Sequence, residues 1–347
     1  MLNNSIKLNP KLFDADVEQI PIRKGFGEGL LRAAELDTRV VGLCADLTES
    51  TQMHLFKQRF PERFIEIGVA EQNLATVASG MAAMGKIPFI SSYAVFSPGR
   101  NWEQIRTTIA YNNVPVKIVG SHAGVSVGPD GGSHQALEDM AIMRVIPRMV
   151  VISPCDAIAA KKATLAAALT ASPTYIRLAR EKTPIITTEE TPFEIGKAEM
   201  FWRSKNSPLK KGLSQGRSEG RGIFPSVGII ATGALLYRAI LVAKRLDSEG
   251  KYVTVVNLST IKPLDEEAIL KLAREMGAIV TVEEHQIYGG MGSTVAEYLA
   301  KHFPVPIEFI GVNDRFGQSG KPDELIEFYG MGEKDIYNAA HRVMLRK

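Results

Sequence analysis

Apolar residues along this chain form short continuous runs that alternate with longer stretches of helical periodicity. Short runs bounded by polar or Gly-containing turns are typical of buried strands, whereas apolar side chains that recur every three or four positions predict helices. In the first half, helices are predicted at residues 21–36, 74–84, 101–111, 137–143 and 156–169, with another beginning at residues 48–50. The predicted strands between them lie at residues 40–45, 63–67, 87–91, 116–120, 149–152 and 174–178.

The same alternation resumes in the second half of the chain. Its predicted strands and helices lie at residues 227–231, 234–247, 252–257, 265–276, 278–283, 290–302, 306–310, 321–329 and 333–345. Strands that alternate with helices throughout predict a parallel sheet covered on both faces. We therefore expect an α/β protein with two three-layer α/β/α domains, at residues 21–190 and 191–347, and an N-terminal arm at residues 1–20.

A change of composition at residues 203–224 interrupts the second half. Lys, Arg, Ser and Gly dominate this stretch, which has six cations and a single acid, Glu219. Such a composition buries too little apolar surface to order itself, so we predict a flexible basic insertion. A basic patch that binds an acidic partner is the alternative, although charge runs of this kind are usually solvated.

Composition narrows the functional classes. A formal net charge of +3 on 347 residues does not indicate a nucleic-acid partner. The two cysteines give neither a disulfide framework nor metal-ligand spacing, so we expect a reducing, cytoplasmic setting. Residues 1–10 lack the apolar core of a signal peptide. No apolar run approaches the roughly 18 residues of a membrane span, and we expect no membrane partner.

Glu71 is the first candidate for chemistry. It lies in residues 68–73, between the predicted strand at residues 63–67 and an apolar helix. In open α/β sheets, ligands bind at the carboxyl ends of the strands. A buried carboxylate is costly unless it is paired, so we interpret Glu71 as the partner of a protonatable ring nitrogen of a bound cofactor. An exposed first-turn acid that complements the helix dipole is the alternative.

A Gly-rich loop at residues 121–135 carries His122, Asp130 and His134 just beyond another predicted strand. These groups suit hydrogen bonding to hydroxyls and proton transfer near neutral pH. Two histidines and an aspartate could instead bind zinc, but nothing else nearby has ligand spacing. The same side chains could also do no more than satisfy backbone groups of the loop.

Two further stretches could bind anions. Arg180 follows the strand at residues 174–178, and its guanidinium suits a phosphate as a bidentate fork, although a surface ion pair would explain it equally. The glycines of residues 289–292 open a helix whose N-terminus could hold an anion, but a tight turn or a domain contact is also compatible with them. The chain has no dinucleotide-binding fingerprint, Walker loop or nucleophile elbow.

The order of these features resembles the C-terminal half of the transketolases. Residues 68–73, an aromatic pair, the loop with two histidines and then Arg180 follow one another as in that family, and His122 and His134 are 12 positions apart in both. The resemblance runs from about residue 23 to residue 345, interrupted by residues 203–224. It implies a pyrimidine-binding thiamine diphosphate fold followed by the transketolase C-terminal domain.

The resemblance also implies roles for individual residues. Glu71 would be the catalytic glutamate that hydrogen-bonds the aminopyrimidine ring of thiamine diphosphate. Tyr93 and Phe96 would pack against that ring, unless they are plain core residues, and Asp46 would lie beside the cofactor. The implied contacts to the sugar and its phosphate are Arg23, Ser50, His122, Asp130, His134 and Arg180. Of these, His122 and His134 would also take part in catalysis.

The sequence departs from a complete transketolase in two places. It lacks the Gly-Asp-Gly…Asn motif that binds the diphosphate and a divalent metal, so it resembles the C-terminal subunit of a split transketolase. Residues 97–100 differ from the usual run, which leaves the third pyrimidine contact unassigned. The implied partner is an N-terminal subunit that holds the diphosphate with Mg²⁺ or Ca²⁺, in a heterotetramer that self-associates through this chain.

The implied reaction is the transfer of a two-carbon ketol unit from a phosphoketose to an aldose. Deoxyxylulose-phosphate synthase has a similar loop but lacks a histidine at the position of His122. The beta subunits of 2-oxo acid dehydrogenases share the glutamate but not the paired histidines. A non-catalytic interaction subunit that kept the fold is the third alternative. His122 together with Arg23 favours phosphosugar ketol transfer.

Overall fold

The computed structural model describes residues 1–205 and 225–347. The basic insertion predicted at residues 203–224 lies outside the described residues from position 206 onward. Arg203 is within the described part, where it ends a strand rather than beginning a loop.

Strands and helices alternate along the first part as the sequence predicts. In chain order they are β1 (Gln19–Pro21), α1 (Ile22–Leu36), β2 (Val40–Cys44), α2 (His54–Arg59), β3 (Phe64–Glu66), α3 (Glu71–Ala83), β4 (Ile87–Tyr93), α4 (Trp102–Gln104), β5 (Lys117–Ser121), α5 (Asp139–Arg144), β6 (Val150–Ile152), α6 (Ala157–Leu169), β7 (Thr174–Arg177), β8 (Lys182–Pro184) and β9 (Glu199–Arg203). A π-helical stretch, Ile105–Tyr111, continues α4. Short 3-10 turns lie at Asn4–Ile6, Pro61–Arg63 and Val125–Asp130.

The second part repeats the pattern. Its elements are β10 (Ser226–Ala231), α7 (Leu236–Ser248), β11 (Tyr252–Asn257), β12 (Thr260–Lys262), α8 (Glu266–Met276), β13 (Ile279–Gln286), α9 (Met291–His302), β14 (Ile307–Val312), α10 (Pro322–Phe328) and α11 (Glu333–Met344). None of the helices in residues 1–205 and 225–347 is long and apolar enough to cross a membrane.

The strands form two main sheets in which parallel pairs dominate. The seven-stranded sheet has the order β12-β6-β7-β5-β4-β2-β3, and the five-stranded sheet has the order β14-β13-β10-β11-β9. The antiparallel pairs in them are β12 with β6 and β11 with β9. Separate buried clusters lie on the two faces of the first sheet, one with α1 and α6 and the other with α3. The predicted α/β fold class is confirmed.

Two segments pack against the sheet that is formed mainly by the other part of the chain. Strand β12 comes from the second part but pairs with β6 at the edge of the first sheet. At the N-terminus, the amide of Asn3 donates to the carbonyl of Phe201 at 3.0 Å. Leu12 is buried in the core of the five-stranded sheet. Residues 3 and 12 of the predicted arm therefore pack against the five-stranded sheet, to which β9 also belongs, whereas the end of the arm pairs with β8. The division at residues 190 and 191 stays a prediction.

The loop after β2 differs from the prediction. A helix was expected from residues 48–50, but the chain turns there and α2 begins only at His54. The hydroxyl of Thr48 donates to Oε2 of Glu66 at 2.9 Å, and the amide of Asp46 donates to Oε1 of the same carboxylate at 2.8 Å. Because Glu66 ends β3, these bonds fix the loop to the neighbouring strand. The helix therefore begins later in the sequence than predicted.

Close packing of α1 on α6 positions the start of α1. A Cβ atom on Gly25 would lie 1.7 Å from the carbonyl oxygen of Ala157, so only glycine fits this contact. Arg23, a predicted site residue, lies in the same first turn of α1. The glycine therefore sets how closely the first turn of α1 approaches the rest of the site.

Gly25→Ala should lower the midpoint of thermal unfolding by several degrees. Overpacking of a tight contact costs roughly 1–3 kcal/mol, and the two helices must separate to admit the methyl group. Gly80→Ala is the matched control: Gly80 is an exposed glycine inside α3, and its added Cβ would meet no described atom within 4 Å. Differential scanning calorimetry that found equal midpoints for the two variants would contradict the proposed contact.

Candidate active site

The carboxyl edge of the seven-stranded sheet carries nearly all the residues singled out from the sequence. Strands β2, β3, β4, β5 and β7 lie side by side and run parallel, so their carboxyl ends meet at one edge. The side chains that follow those ends are Asp46, Glu71, Tyr93, His122 and Arg180. This edge is where ligands bind in sheets of this type.

Glu71 is the first residue of α3 and is buried, with only 5% of its side chain exposed. Its Oε1 accepts a hydrogen bond from Nη1 of Arg100 at 2.9 Å. Its backbone carbonyl accepts one from Nδ2 of Asn101 at 2.9 Å. The exposed first-turn acid considered as an alternative does not describe this carboxylate, which is a buried charge with a guanidinium partner.

An aromatic wall, Tyr93 and Phe96, stands next to this pair. The two ring centroids are 6.1 Å apart and the planes differ by 13°. Both rings are half-buried rather than fully enclosed in the core. The Arg100 guanidinium carbon lies 4.2 Å from the centroid of Phe96, so Arg100 contacts both the wall and the Glu71 carboxylate.

The two loop histidines complete the aromatic cluster. The His122 ring stacks on Tyr93 with centroids 3.9 Å apart, and the His134 ring meets Phe96 edge-on at 5.3 Å. Nδ1 of His122 lies 2.9 Å from the hydroxyl of Ser121. Burial, together with the positive charges of Arg23 and Arg180 and the neighbouring His134, lowers the pKa of His122 to about 3. His122 is therefore neutral at physiological pH.

Two guanidinium groups lie near enough to the neutral histidine to lower its pKa. Arg23 donates to the backbone carbonyl of Arg180, and Arg180 donates to the carbonyl of Val127. The Nε of Arg23 is buried and has no hydrogen-bond partner within the described chain. Burial and the charge of Arg180 lower the pKa of Arg23. Nε of Arg180 also lies 3.7 Å from Oε1 of Glu181, with which it forms an ion pair. Two cations held this close, one with an unused donor, form a site that favours an anion.

Three predicted residues lie on the same edge without joining the aromatic cluster. Asp130 is exposed at the end of the 3-10 turn in the loop at residues 121–135. Asp46 is exposed with a left-handed backbone (φ 57°), and Ser50 is half-buried in the turn that follows. No described contact links them to Tyr93 or Phe96. Among residues 1–205 and 225–347, no group of three or more His, Cys, Asp or Glu could hold a metal ion.

The glycines at residues 289–292 do not leave an open anion site. The amides of Met291 and Gly292, at the start of α9, donate to the two carboxylate oxygens of Glu283 at 2.7 and 2.8 Å. The chain's own carboxylate therefore occupies this helix N-terminus. Burial raises the pKa of Glu283 to about 7, although these two amides oppose the shift.

Sequence reasoning missed the groups that support the site. Arg100 was noticed only as part of an unusual run, because nothing local shows that it reaches Glu71. A buried network also went unrecognised: Nε of Arg177 lies 2.9 Å from Oδ2 of Asp139, and Nη2 of Arg177 donates to the carbonyl of Glu284 at 2.6 Å. The one sequence feature that pointed to this network was Arg177, a charged residue at the end of the apolar strand β7.

Comparisons with known proteins identify the family of the chain. Residues 18–185 match the family model of the transketolase pyrimidine-binding domain, and residues 224–336 match that of the transketolase C-terminal domain. A 6-deoxy-6-sulfo-D-fructose transketolase subunit of a Clostridium species is 38% identical over 96% of this chain and 98% of its own length. An apulose-4-phosphate transketolase subunit from Phocaeicola vulgatus is 33% identical over 92% of this chain and 96% of its own length.

A solved structure extends the likeness to three dimensions. A split-gene transketolase, described as an inactive beta4 tetramer, is 39% identical and superposes with a TM-score of 0.82, covering 94% of this chain and 99% of that one. Family models, sequence relatives and structure all agree, and the chain belongs to the transketolase family.

Proposed function

We propose that this chain is the C-terminal subunit of a split transketolase and transfers a two-carbon ketol unit from a phosphoketose to an aldose acceptor. The observation that carries the proposal is the buried carboxylate of Glu71 beside the aromatic wall, on the same sheet edge as two guanidinium groups and a neutral histidine. The family membership supports a transferase of this type.

The residues present fit the pyrimidine half of thiamine diphosphate. A buried carboxylate can accept a hydrogen bond from a ring nitrogen, and the half-buried rings of Tyr93 and Phe96 offer faces against which an aminopyrimidine can pack. When bound, the cofactor supplies the nucleophilic carbon that carries the two-carbon unit. Glu71 would hold the proton at the ring nitrogen, and Asp46 would lie farther along the same edge.

The cations would bind the sugar phosphate. Arg23 and Arg180 are both close enough to His122 for their charges to lower its pKa, and the buried Nε of Arg23 has no hydrogen-bond partner in the described chain. A neutral imidazole can donate from one nitrogen and accept at the other, so His122 would orient the substrate without adding charge. His134, with Asp130, would hold the ketose hydroxyls and move a proton as the carbon–carbon bond breaks. Ser50 would add a further phosphate contact.

The proposal includes a partner. An N-terminal transketolase-like subunit would hold the diphosphate and its Mg²⁺ or Ca²⁺, in a cytoplasmic heterotetramer whose copies of this chain associate with one another. The subunit names of the two relatives and the tetrameric structure support such an assembly. Within this chain we propose a pyrimidine-binding domain at residues 21–190 and a C-terminal domain at residues 191–347. The two relatives are named for different sugars, so the acceptor is left open.

Glu71→Gln should lower turnover of the reconstituted complex by roughly 100-fold or more, the scale of a lost proton-transfer group. The amide keeps the size of the side chain but cannot hold the proton at the ring nitrogen. Steady-state assays with a phosphoketose donor give the comparison. Glu333→Gln, which changes the exposed first residue of α11, is the matched control. Wild-type turnover in the Glu71 variant would refute this role.

Arg180→Ala should raise KM for phosphorylated sugars roughly 10- to 100-fold, since a hydrogen bond to a charged group contributes about 1.5–3 kcal/mol. The KM for unphosphorylated analogues should change little, because they lack the group that Arg180 binds. Arg32→Ala, on the exposed face of α1, is the control and should alter neither constant. Equal effects on both classes of sugar would exclude the phosphate role.

The His122 side chain should not titrate between pH 5 and pH 8. Its pKa in the folded chain, about 3, is below the unfolded value of roughly 6.5. Below about pH 6.5 the unfolded state therefore binds more protons than the folded state. The free energy of unfolding should fall as pH drops from about 6.5 to about 3, and His122 should have no such effect above pH 6.5. NMR of ¹³C-labelled histidines, with His122→Asn for assignment, gives the measurement. An imidazole resonance of His122 with a midpoint near 6.5 would contradict the assignment.

A further inference from the structure

The Glu71–Arg100 ion pair joins two side chains in very different surroundings. Glu71 is 5% exposed, whereas half of the Arg100 side chain is in solvent. Nη1 of Arg100 is bonded to only one carboxylate oxygen, Oε1, at 2.9 Å. A buried carboxylate is stable only with a counter-charge or hydrogen-bond donors. Arg100 provides this compensation in the structure.

The Arg100 backbone is held in place, so that its side chain is the part free to move. The amide of Arg100 donates to the carbonyl of Phe96 at 2.7 Å. The next residue, Asn101, is fully buried and bonds to both the Glu71 carbonyl and the Ser97 hydroxyl. A long side chain on a fixed backbone can turn to solvent without disturbing the turn that carries it.

Arg100 lies where a flat ring would have to bind. Its guanidinium carbon is 4.2 Å from the centroid of Phe96, and its Nη1 bonds to the Glu71 carboxylate. A ring that packs on Phe96 and donates to Glu71 would use the ring and the carboxylate that Arg100 already contacts. The two groups would therefore compete, and the half-exposed guanidinium is the one that can turn to water instead.

We propose that Arg100 is a displaceable counter-ion that occupies the Glu71 carboxylate in the unliganded chain and leaves it when the cofactor's pyrimidine ring binds. The inference rests on the proposed function, because it takes thiamine diphosphate as the ligand. Breaking the pair is a cost of cofactor binding, so Arg100 weakens affinity while it stabilises the unliganded site.

The experiment measures binding rather than turnover. The chain is reconstituted with its diphosphate-binding partner, and the Kd of thiamine diphosphate is measured by isothermal titration calorimetry for wild type and Arg100→Met. Methionine keeps an apolar contact with Phe96 and removes the charge. The variant should bind the cofactor roughly 3- to 5-fold more tightly, the scale of a partly exposed ion pair. Its cofactor-free form should also unfold at a lower temperature than wild type.

A double-mutant cycle with Glu71→Gln isolates the pair. In the Glu71→Gln background there is no carboxylate to release, so adding Arg100→Met should not tighten binding. Any general effect of the lost charge on the anionic cofactor persists in that background and cancels in the cycle. Arg106→Met, which removes an exposed cation six positions later in the chain, is the control and should leave Kd unchanged. Arg100→Gln should shift Kd in the same direction if the methionine variant does not assemble.

The outcomes separate the two proposals. If the wild-type complex binds thiamine diphosphate and the loss of Arg100 leaves Kd unchanged or weakens binding, Arg100 is not displaced and the inference is wrong, while the proposed function stands. If the wild-type complex does not bind thiamine diphosphate, the proposed function and the inference both fail.

Discussion

The buried ion pair of Arg177 with Asp139 is the interaction on which the arrangement of the site depends. Its partners are 5% and 1% exposed, so neither charge could remain buried without the other. Arg177 also bonds to the carbonyl of Glu284, and the carboxylate of Glu284 accepts from the amide of Ser126 at 2.6 Å. This chain of bonds runs from the first sheet through β13 to the loop that carries the two histidines. The loop is thus held by a carboxylate 158 positions away along the chain.

The site combines two kinds of surroundings for charge. Glu71 is a buried anion whose partner is half in solvent, whereas Arg23 and Arg180 are neighbouring cations stabilised mainly by backbone carbonyls. Between them the aromatic wall and a neutral His122 carry no net charge. The edge therefore has an acidic end suited to a ring nitrogen and a basic end suited to a phosphate, separated by flat apolar surface. This order of surroundings is compatible with the proposed function, in which a phosphorylated sugar reacts next to a heterocycle.

Local patterns predicted most elements, and long-range bonds explain where they failed. Continuous apolar runs identified the buried strands, and residues 68–73 with the loop at residues 121–135 predicted candidate residues that the structure brings to one edge of a sheet. The predicted start of α2, at residues 48–50, was wrong because Glu66 on a neighbouring strand holds Thr48 in a turn. The stretch after α4 is π-helical, which the 3.6-residue periodicity does not distinguish. Arg100 could not be assigned a partner, since Glu71 lies 29 positions earlier on another element.

The position of β12 affects the order in which the two sheets can finish folding during synthesis. Strand β6 would be an open edge of the first sheet until Thr260–Lys262 pairs with it. Unpaired edges are templates for association with other chains. The apolar side chain of Leu12 likewise stays exposed until the core of the five-stranded sheet forms. A nascent chain that has only its first sheet therefore exposes both an unpaired strand and an unburied N-terminal segment, and both are covered only after the second part has been made.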